Sequence, residues 1–354
     1  MNLDNLSAIK KLDQNNVAES IANLPKQLMA SWEAAKKIKI PTSFNKASNI
    51  VFCGMGGSNL ASELLKRVFG AQIKVPLVLT RSYNLPAFVN SETLVIIDSY
   101  SGNTEETVSC LEQTLKIKAK IICIASGGKV EQLAKRYKLT LFKLNPALNP
   151  SGQPRYDVGS QLGTALAIFN KLKIIKITDQ ELSATAAQLI KMGQDLLPIA
   201  AEKTNPAKQL AKELQNKSIY IVAGEFLSAN AHILANQINE SAKQLASPYK
   251  IPELNHHFLE ALTFPEGLLR QTAFIFLVSP DYSKRITQRF SVTQKILDKK
   301  GIKNFTIITE TAGALNQALE VVSIGGWIDF YLAMTNNQNP APVPWVDYLK
   351  KELG

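Results

Sequence analysis

Residues 94–107, LVIIDSYSGNTEET, constrain this chain more than any other stretch. Leu94-Val95-Ile96-Ile97 is a continuous apolar run, the pattern of a strand buried on both faces. The chain then breaks into Asp98-Ser99-Tyr100-Ser101-Gly102-Asn103 and resumes from Thr104 as a helix-compatible segment. Ser99, Ser101 and Thr104 fall within six residues, beside a glycine that lets backbone approach a ligand. Amides at a helix start and hydroxyls of this kind suit a phosphate dianion. The same spacing also reads as an ordinary helix cap, with Thr104 or Asn103 capping and Glu105-Glu106 favouring the helix dipole.

The same rhythm recurs on either side. Residues 17–38 carry apolar side chains at helical spacing, with Pro25 as a kink. Asn49-Ile50-Val51-Phe52-Cys53 predicts a buried strand, followed by Gly54-Met55-Gly56-Gly57-Ser58 and a helix to about Phe69. Further strands are expected at 75–80, 120–125 and 140–144, with helices at 104–116 and 129–137. Alternating strand and helix implies a parallel sheet covered on both faces, with ligands at the carboxyl ends of its strands. GMGGS and SYSGNT both occupy that edge. GMGGS is not GxGxxG, and no acidic residue follows at a strand end to hold a ribose, so a nucleotide cofactor is disfavoured.

After the proline-bearing stretch 145–155, which ends at Arg155, helices are predicted at 157–172 and 180–203, the latter capped by Asp179. The strand pattern then restarts at 218–224, followed by a helix over 228–245, as a diverged repeat of 49–69 would. Strands at 273–279 and 305–309, helices at 283–299 and 314–334, and a short terminal helix complete an α/β second half. Two domains are expected, 1–175 and 176–354.

Composition narrows the partners. There are 40 Lys and Arg against 29 Asp and Glu, a formal charge of +11, but the lysines are scattered and no nucleic-acid-binding pattern accompanies them. A basic balance suits an anionic small substrate. No run long enough for a membrane span and no signal-peptide core is found, so the expectation is a cytoplasmic chain with no membrane partner. Cys53, Cys110 and Cys123 form neither a CxxC pair nor a disulfide framework. In the helix over 228–245, His232, Asn236, Asn239, Glu240 and Lys243 fall on one face opposite Leu234, Ile238 and Leu245, which reads either as a wet surface or as the seat of a general base at Glu240. His256-His257 lacks further ligands at metal-binding spacing.

GMGGS at 54–58, SYSGNTEET at 99–107, SGQPR at 151–155, INESAK at 238–243, ELNHH at 253–257 and DYLKKEL at 347–353 occur in that order. Together they resemble the bifunctional phosphoglucose/phosphomannose isomerase family of the sugar isomerase (SIS) superfamily, over nearly the whole chain. The resemblance implies two doubly wound parallel-sheet, flavodoxin-like SIS domains with flanking helices, acting as a homodimer on a phosphorylated hexose with no cofactor and no metal. Ser58, Ser99, Ser101 and Thr104 match the phosphate-holding hydroxyls, and Gly56 and Gly57 lie in the matching substrate-binding turn. Arg155 matches a residue that stabilises the charged intermediate, and Glu240 the catalytic base. His256 matches a ring-opening histidine shared across the dimer, and Lys350 a substrate-contacting lysine. The chain departs from the pattern at His257-Phe258, where the family commonly carries Asn-Glu, and at Ala341, where relatives often carry threonine. Those departures bear on substrate range. An isomerase of another phosphosugar and a non-catalytic phosphosugar sensor are the competing readings. A sensor is expected to carry a DNA-binding or second regulatory domain, and none is evident before residue 40.

Overall fold

The computed structural model describes residues 1–353. The chain opens with α1 (Leu6–Leu12) and α2 (Val17–Ala22), followed by α3 (Leu24–Lys36). The single helix expected over 17–38 is thus divided at Asn23, and Pro25 sits in the first turn of α3, where its missing N–H costs nothing. Two compact units result, one of residues 23–188 and the other of residues 1–22 with 189–354.

The first unit is built on β1 (Asn49–Cys53), β2 (Leu77–Thr80), β3 (Thr93–Ser99), β4 (Lys120–Ala125) and β5 (Thr140–Lys143). All pairs are parallel, in the order β2-β1-β3-β4-β5. α4 (Leu60–Val68), α5 (Glu105–Ile117), α6 (Gly128–Arg136) and α7 (Val158–Lys171) complete the winding. Every residue of β3 is buried, as its apolar run requires. Val95 and Ile97 pack with Val51, Cys53, Val108, Leu111 and Val130 in one core. By alternation, Leu94, Ile96 and Asp98 point to the opposite face, on which the rings of Phe52 and Phe169 stack at 6.4 Å. The strand order reverses between β1 and β3, so this is the switch point at which such sheets take ligands.

α8 (Asp179–Gly193) carries the boundary between the units and ends well short of 203. Its start is a capping box made by Thr178: the Thr178 N–H donates to Glu181 Oε2 at 2.7 Å and the Glu181 N–H to Thr178 Oγ1 at 3.2 Å. Asp179, expected as the cap, instead accepts from Trp32 Nε1 and Lys36 Nζ at 2.7 and 2.8 Å.

The second unit repeats the winding with α9 (Pro206–Leu214), β6 (Ser218–Gly224), α10 (Ser228–Gln237), β7 (Ala246–Ile251), the short α11 (Leu254–His257) and α12 (Glu266–Leu269), β8 (Thr272–Val278), α13 (Lys284–Lys299), β9 (Lys303–Ile308), α14 (Ala314–Thr335) and α15 (Pro344–Leu353). Its parallel order β7-β6-β8-β9 matches the first four strands of the other sheet. β7 was not expected from the sequence: its burial is mixed and it carries Pro248, which an edge strand tolerates. α14 is long and apolar enough to cross a membrane, but 94% of its apolar window is buried in protein, as befits a core helix.

Residues 1–22, grouped with the first domain in the sequence reading, belong here to the second unit. Lys208, with no exposed surface, donates to Asp4 Oδ1 at 3.0 Å and to the carbonyls of Pro198 and Ala200. Ile21 fills the space above Gly326, where an added Cβ would lie 3.3 Å from its Cγ2.

Candidate functional site

At the carboxyl edge of the first sheet, two loops flank the switch point. The turn after β1 places Ser58 on a single 3-10 turn (Gly56–Asn59), nearly fully buried. Its Oγ accepts from the Tyr100 N–H at 2.9 Å, which joins the two loops. After β3, Ser99 Oγ and Thr104 Oγ1 are 2.9 Å apart, and the Gly102 N–H donates to Ser99 Oγ at 3.1 Å. The Asn103 N–H donates to Ser101 Oγ, which stands at the surface. Thr104 occupies the cap position of α5 without making a side-chain cap. Its hydroxyl is turned instead toward Ser99, which leaves the first-turn amides of α5 uncapped by a side chain, a site suited to an anion. Asn103, the other expected cap, accepts from the Lys129 N–H at 2.9 Å and so ties this loop to the start of α6.

Two glycines explain the tightness of this edge. A Cβ on Gly57 would lie 2.7 Å from Pro154 Cβ and 2.9 Å from the Arg155 nitrogen, so only glycine lets the 151–156 loop close over the β1 turn. Gly102 has φ +73° and would put a Cβ 1.9 Å from the Gly127 carbonyl oxygen. Arg155 is 1% exposed; its Nη1 donates to Gln153 Oε1 at 2.8 Å, and its guanidinium lies 5.3 Å from the Tyr156 ring centroid. Ser58, Ser99, Thr104, Gly57 and Arg155 are thus joined in one lattice of contacts in the first unit, with Gly56 and Ser101 on its open side.

Several residues the sequence reading did not single out hold this lattice. Asn149 Nδ2 donates to the Tyr100 hydroxyl at 3.1 Å and to the Gln153 carbonyl at 2.9 Å, and Ser126 Oγ donates to the Tyr100 carbonyl at 2.6 Å. Beneath them lie two fully buried acids, Asp98 and Asp157. Burial, and then the neighbouring Asp157 charge, push the Asp98 carboxyl well above the usual carboxylate range. Burial pushes Asp157 up to about 7, against the lowering effect of the Ser160 hydroxyl that donates to it at 2.8 Å. Burial raises the Tyr100 hydroxyl to about 12, with Asp157 adding to the shift. An acid closing an apolar strand run was the signal for Asp98.

The remaining candidates belong to the second unit. The helix expected over 228–245 ends at Gln237 and continues as a single π turn, Ile238–Ala242, a form that inserts a residue and re-aims the side chains after it. Glu240 sits on that turn. Asn239 fixes it: its Oδ1 accepts from the Ala246 N–H and its Nδ2 donates to the Ala246 carbonyl, both at 2.8 Å. Lys243, left-handed at φ 54°, closes the turn and donates to the Glu240 and Pro342 carbonyls. Leu245, beyond this reversal, is 69% exposed, against the expectation from a continuous helix.

His256 stands at the opposite end of β7, exposed on α11, and its ring has no hydrogen-bond partner among the described residues. The strand between them spans about 17 Å, so Glu240 and His256 of one chain lie near its two ends. Phe258, at the departure from the family pattern, packs its ring 4.4 Å from Tyr249 and 5.2 Å from Tyr220, anchoring α11 on the sheet. Lys350 is exposed on α15. Among the described residues no three His, Cys, Asp or Glu side chains cluster as metal ligands.

Comparison with known proteins agrees with this architecture. Residues 43–145 match the SIS domain, and residues 203–353 match the bacterial phospho-glucose isomerase C-terminal SIS domain. A bifunctional phosphoglucose/phosphomannose isomerase of Caldicellulosiruptor bescii is 31% identical over 342 residues, covering 95% of this chain and 98% of that one. Another, of Aquifex aeolicus, is 29% identical and covers 91% and 94%. Among solved structures, a hypothetical protein from Thermus thermophilus shares the fold at a TM-score of 0.72 and 15% identity, covering 98% of this chain and 93% of its own. With one such relative matched almost end to end, this chain is an isomerase and belongs to the bifunctional phosphoglucose/phosphomannose isomerase family.

Proposed function

We propose that the protein interconverts glucose 6-phosphate and mannose 6-phosphate with fructose 6-phosphate through a cis-enediolate, as a cytoplasmic homodimer. The observation that carries this reading is the Ser99–Thr104 hydroxyl pair over the uncapped start of α5, at the switch point of the first sheet. A sugar phosphate held there by Ser58, Ser99, Ser101 and Thr104, with the Gly56-Gly57 turn at its side, is fixed at the end remote from the reaction. That binding energy positions C1 and C2.

In this reading His256, with Lys350, opens the sugar ring by moving a proton to the ring oxygen. Glu240 takes the proton from C2 and returns it at C1, while Arg155 stabilises the negative oxygens of the enediolate. The intermediate is planar at C2, so protonation there on one face or the other gives the two epimers. The reaction shifts a proton and rearranges a carbonyl, and no electron acceptor enters its balance. The separation of Glu240 and His256 along β7 favours an arrangement in which each catalytic centre takes its histidine from a second copy.

The test is a coupled assay of the purified protein with fructose 6-phosphate in the presence of EDTA, following glucose 6-phosphate and mannose 6-phosphate separately, with Glu240→Gln as control. Both products are expected, and neither from the variant. Glucose 6-phosphate alone would remove the dual specificity; no turnover with saturable phosphosugar binding would point to a different phosphosugar as substrate or to a sensing role.

A further inference from the structure

A cavity of about 260 Å³ opens between α11 and α13 in the second unit, apart from every group used above. Arg285 and Arg289 line it, one helical turn apart, together with Asn255, Thr293 and the aliphatic Leu259 and Val292. Arg285 Nη1 donates to Gln288 Oε1 at 3.3 Å and Arg289 Nη1 to Asn255 Oδ1 at 3.2 Å, and neither guanidinium reaches a carboxylate among the described residues. Of the acids near the start of α13, Asp281 accepts from Gln317 Nε2 and Glu225 accepts from the Ser283 N–H. Two like charges at this spacing repel, and no carboxylate among the described residues pairs with either to offset them.

We propose that this cavity binds a small phosphate-type dianion, held between the guanidiniums of Arg285 and Arg289. Guanidinium forks match such oxyanions bidentately, and Arg289 keeps N–H groups to spare after serving Asn255. The aliphatic Leu259 and Val292 accommodate the carbon body of a phosphate monoester. Asn255 gives the site a consequence. It directly precedes His256, and its Nδ2 donates to Thr293 Oγ1 at 2.8 Å, so its side chain is clamped to α13 from both ends. An anion that orders Arg289 therefore stiffens the turn bearing His256. The site does not depend on which sugar phosphate the isomerase turns over.

Phosphate binding is to be measured calorimetrically at constant ionic strength in a Ser99→Ala/Thr104→Ala background, which weakens the hydroxyl cradle of the first unit. The ring signals of the chain's three histidines are followed by NMR in parallel. Saturable binding of one phosphate is expected, shifting His256 and His257 but not His232, with at least a tenfold loss of affinity in Arg285→Gln/Arg289→Gln. Sulfate should compete and acetate should not. Tighter binding of glucose 6-phosphate than of inorganic phosphate would assign the site to a phosphorylated metabolite, and equal binding to the free anion. Absence of saturable binding, or binding that survives both arginine substitutions, would overturn the proposal. Should the cradle variant not fold, the arginine variant of the otherwise unaltered chain must bind one phosphate fewer than the parent, and equal stoichiometry would refute the site while leaving the isomerase reading intact.

Discussion

The two sheets share a winding and differ at the corresponding turn. After β1, Gly54 to Ser58 leads to a turn whose Gly56 is exposed and whose Ser58 faces the second loop. After β6, Gly224 is filled in: a Cβ there would meet Ile286 Cγ2 at 2.9 Å and the Phe290 ring at 3.2 Å. The Tyr282 hydroxyl closes the same place, accepting from the Gly224 N–H and donating to the Leu277 carbonyl, both at 3.1 Å. Burial raises that hydroxyl well above the usual tyrosine range. The first turn presents polar groups at its edge, and the second is closed by the side chains of Ile286, Phe290 and Tyr282. The second unit's candidate groups have moved away from its switch point, to the π turn before β7 and the helix after it. In the reaction proposed above, the two windings divide the labour: binding at the carboxyl edge of the first sheet, proton transfer on the connections on either side of β7 in the second.

Glu240→Gln tests that division with the largest effect. Removal of the general base proposed above is expected to lower kcat by about 10³-fold, within the range such catalysis contributes, with phosphosugar affinity unchanged by direct titration. Ser99→Ala with Thr104→Ala should do the converse. Losing two hydrogen bonds to a dianion, at about 1.5–3 kcal/mol each for charged groups, raises KM at least tenfold and lowers kcat less. If both variants lowered kcat alone, the partition would be wrong.

Gly57→Ala and Gly224→Ala compare the two turns directly. Each forces a Cβ into occupied space, and overpacking of this kind costs about 1–3 kcal/mol. In Gly57→Ala the obstacle is backbone at Pro154 and Arg155, so the loop must move and KM should rise with the loss of stability. In Gly224→Ala the obstacles are side chains of Ile286 and Phe290, and denaturant unfolding should show a loss that KM does not follow.

How much of this was legible in the sequence depends on the element. The three central strands of the first sheet, β1, β3 and β4, announce themselves because burial on both faces demands unbroken apolar runs, as at Leu94–Ile97. The hydroxyl loop was equally plain, although spacing alone left helix cap and anion site undecided; the side chains of Thr104 and Asn103 turn away from the cap, to Ser99 and the Lys129 N–H. β7 was hidden because Ala246-Ser247-Pro248-Tyr249-Lys250-Ile251 is an edge strand of mixed burial, with a proline where a central strand has none. The π turn was hidden too, since an inserted residue changes no residue type, and a wheel drawn at 3.6 residues per turn runs through it unbroken. Residues 1–22 join the second unit through Asp4 on Lys208 and Ile21 on Gly326, partners far apart in sequence that local pattern does not register.

The buried acids give the last test, one confined to the first sheet. Both Asp98 and Asp157 titrate above their unfolded value of 3.8, Asp157 at about 7. The native chain therefore holds protons that the unfolded chain has released between about pH 4 and 7, and stability falls as pH rises through that window. Asp157→Asn removes one member of the pair without adding volume. The variant should match the parent near pH 4, gain on it progressively to pH 7, and stay ahead by about 4 kcal/mol above that. Denaturant unfolding at closely spaced pH values measures the gap. At the second sheet's own switch point stands Tyr282, which stays neutral across this range, so Tyr282→Phe should shift stability by the same amount at every pH. A gap between Asp157→Asn and the parent that is equally flat would mean that burial does not raise the Asp157 carboxyl above its unfolded value, and the contrast between the two edges would then lie in packing alone.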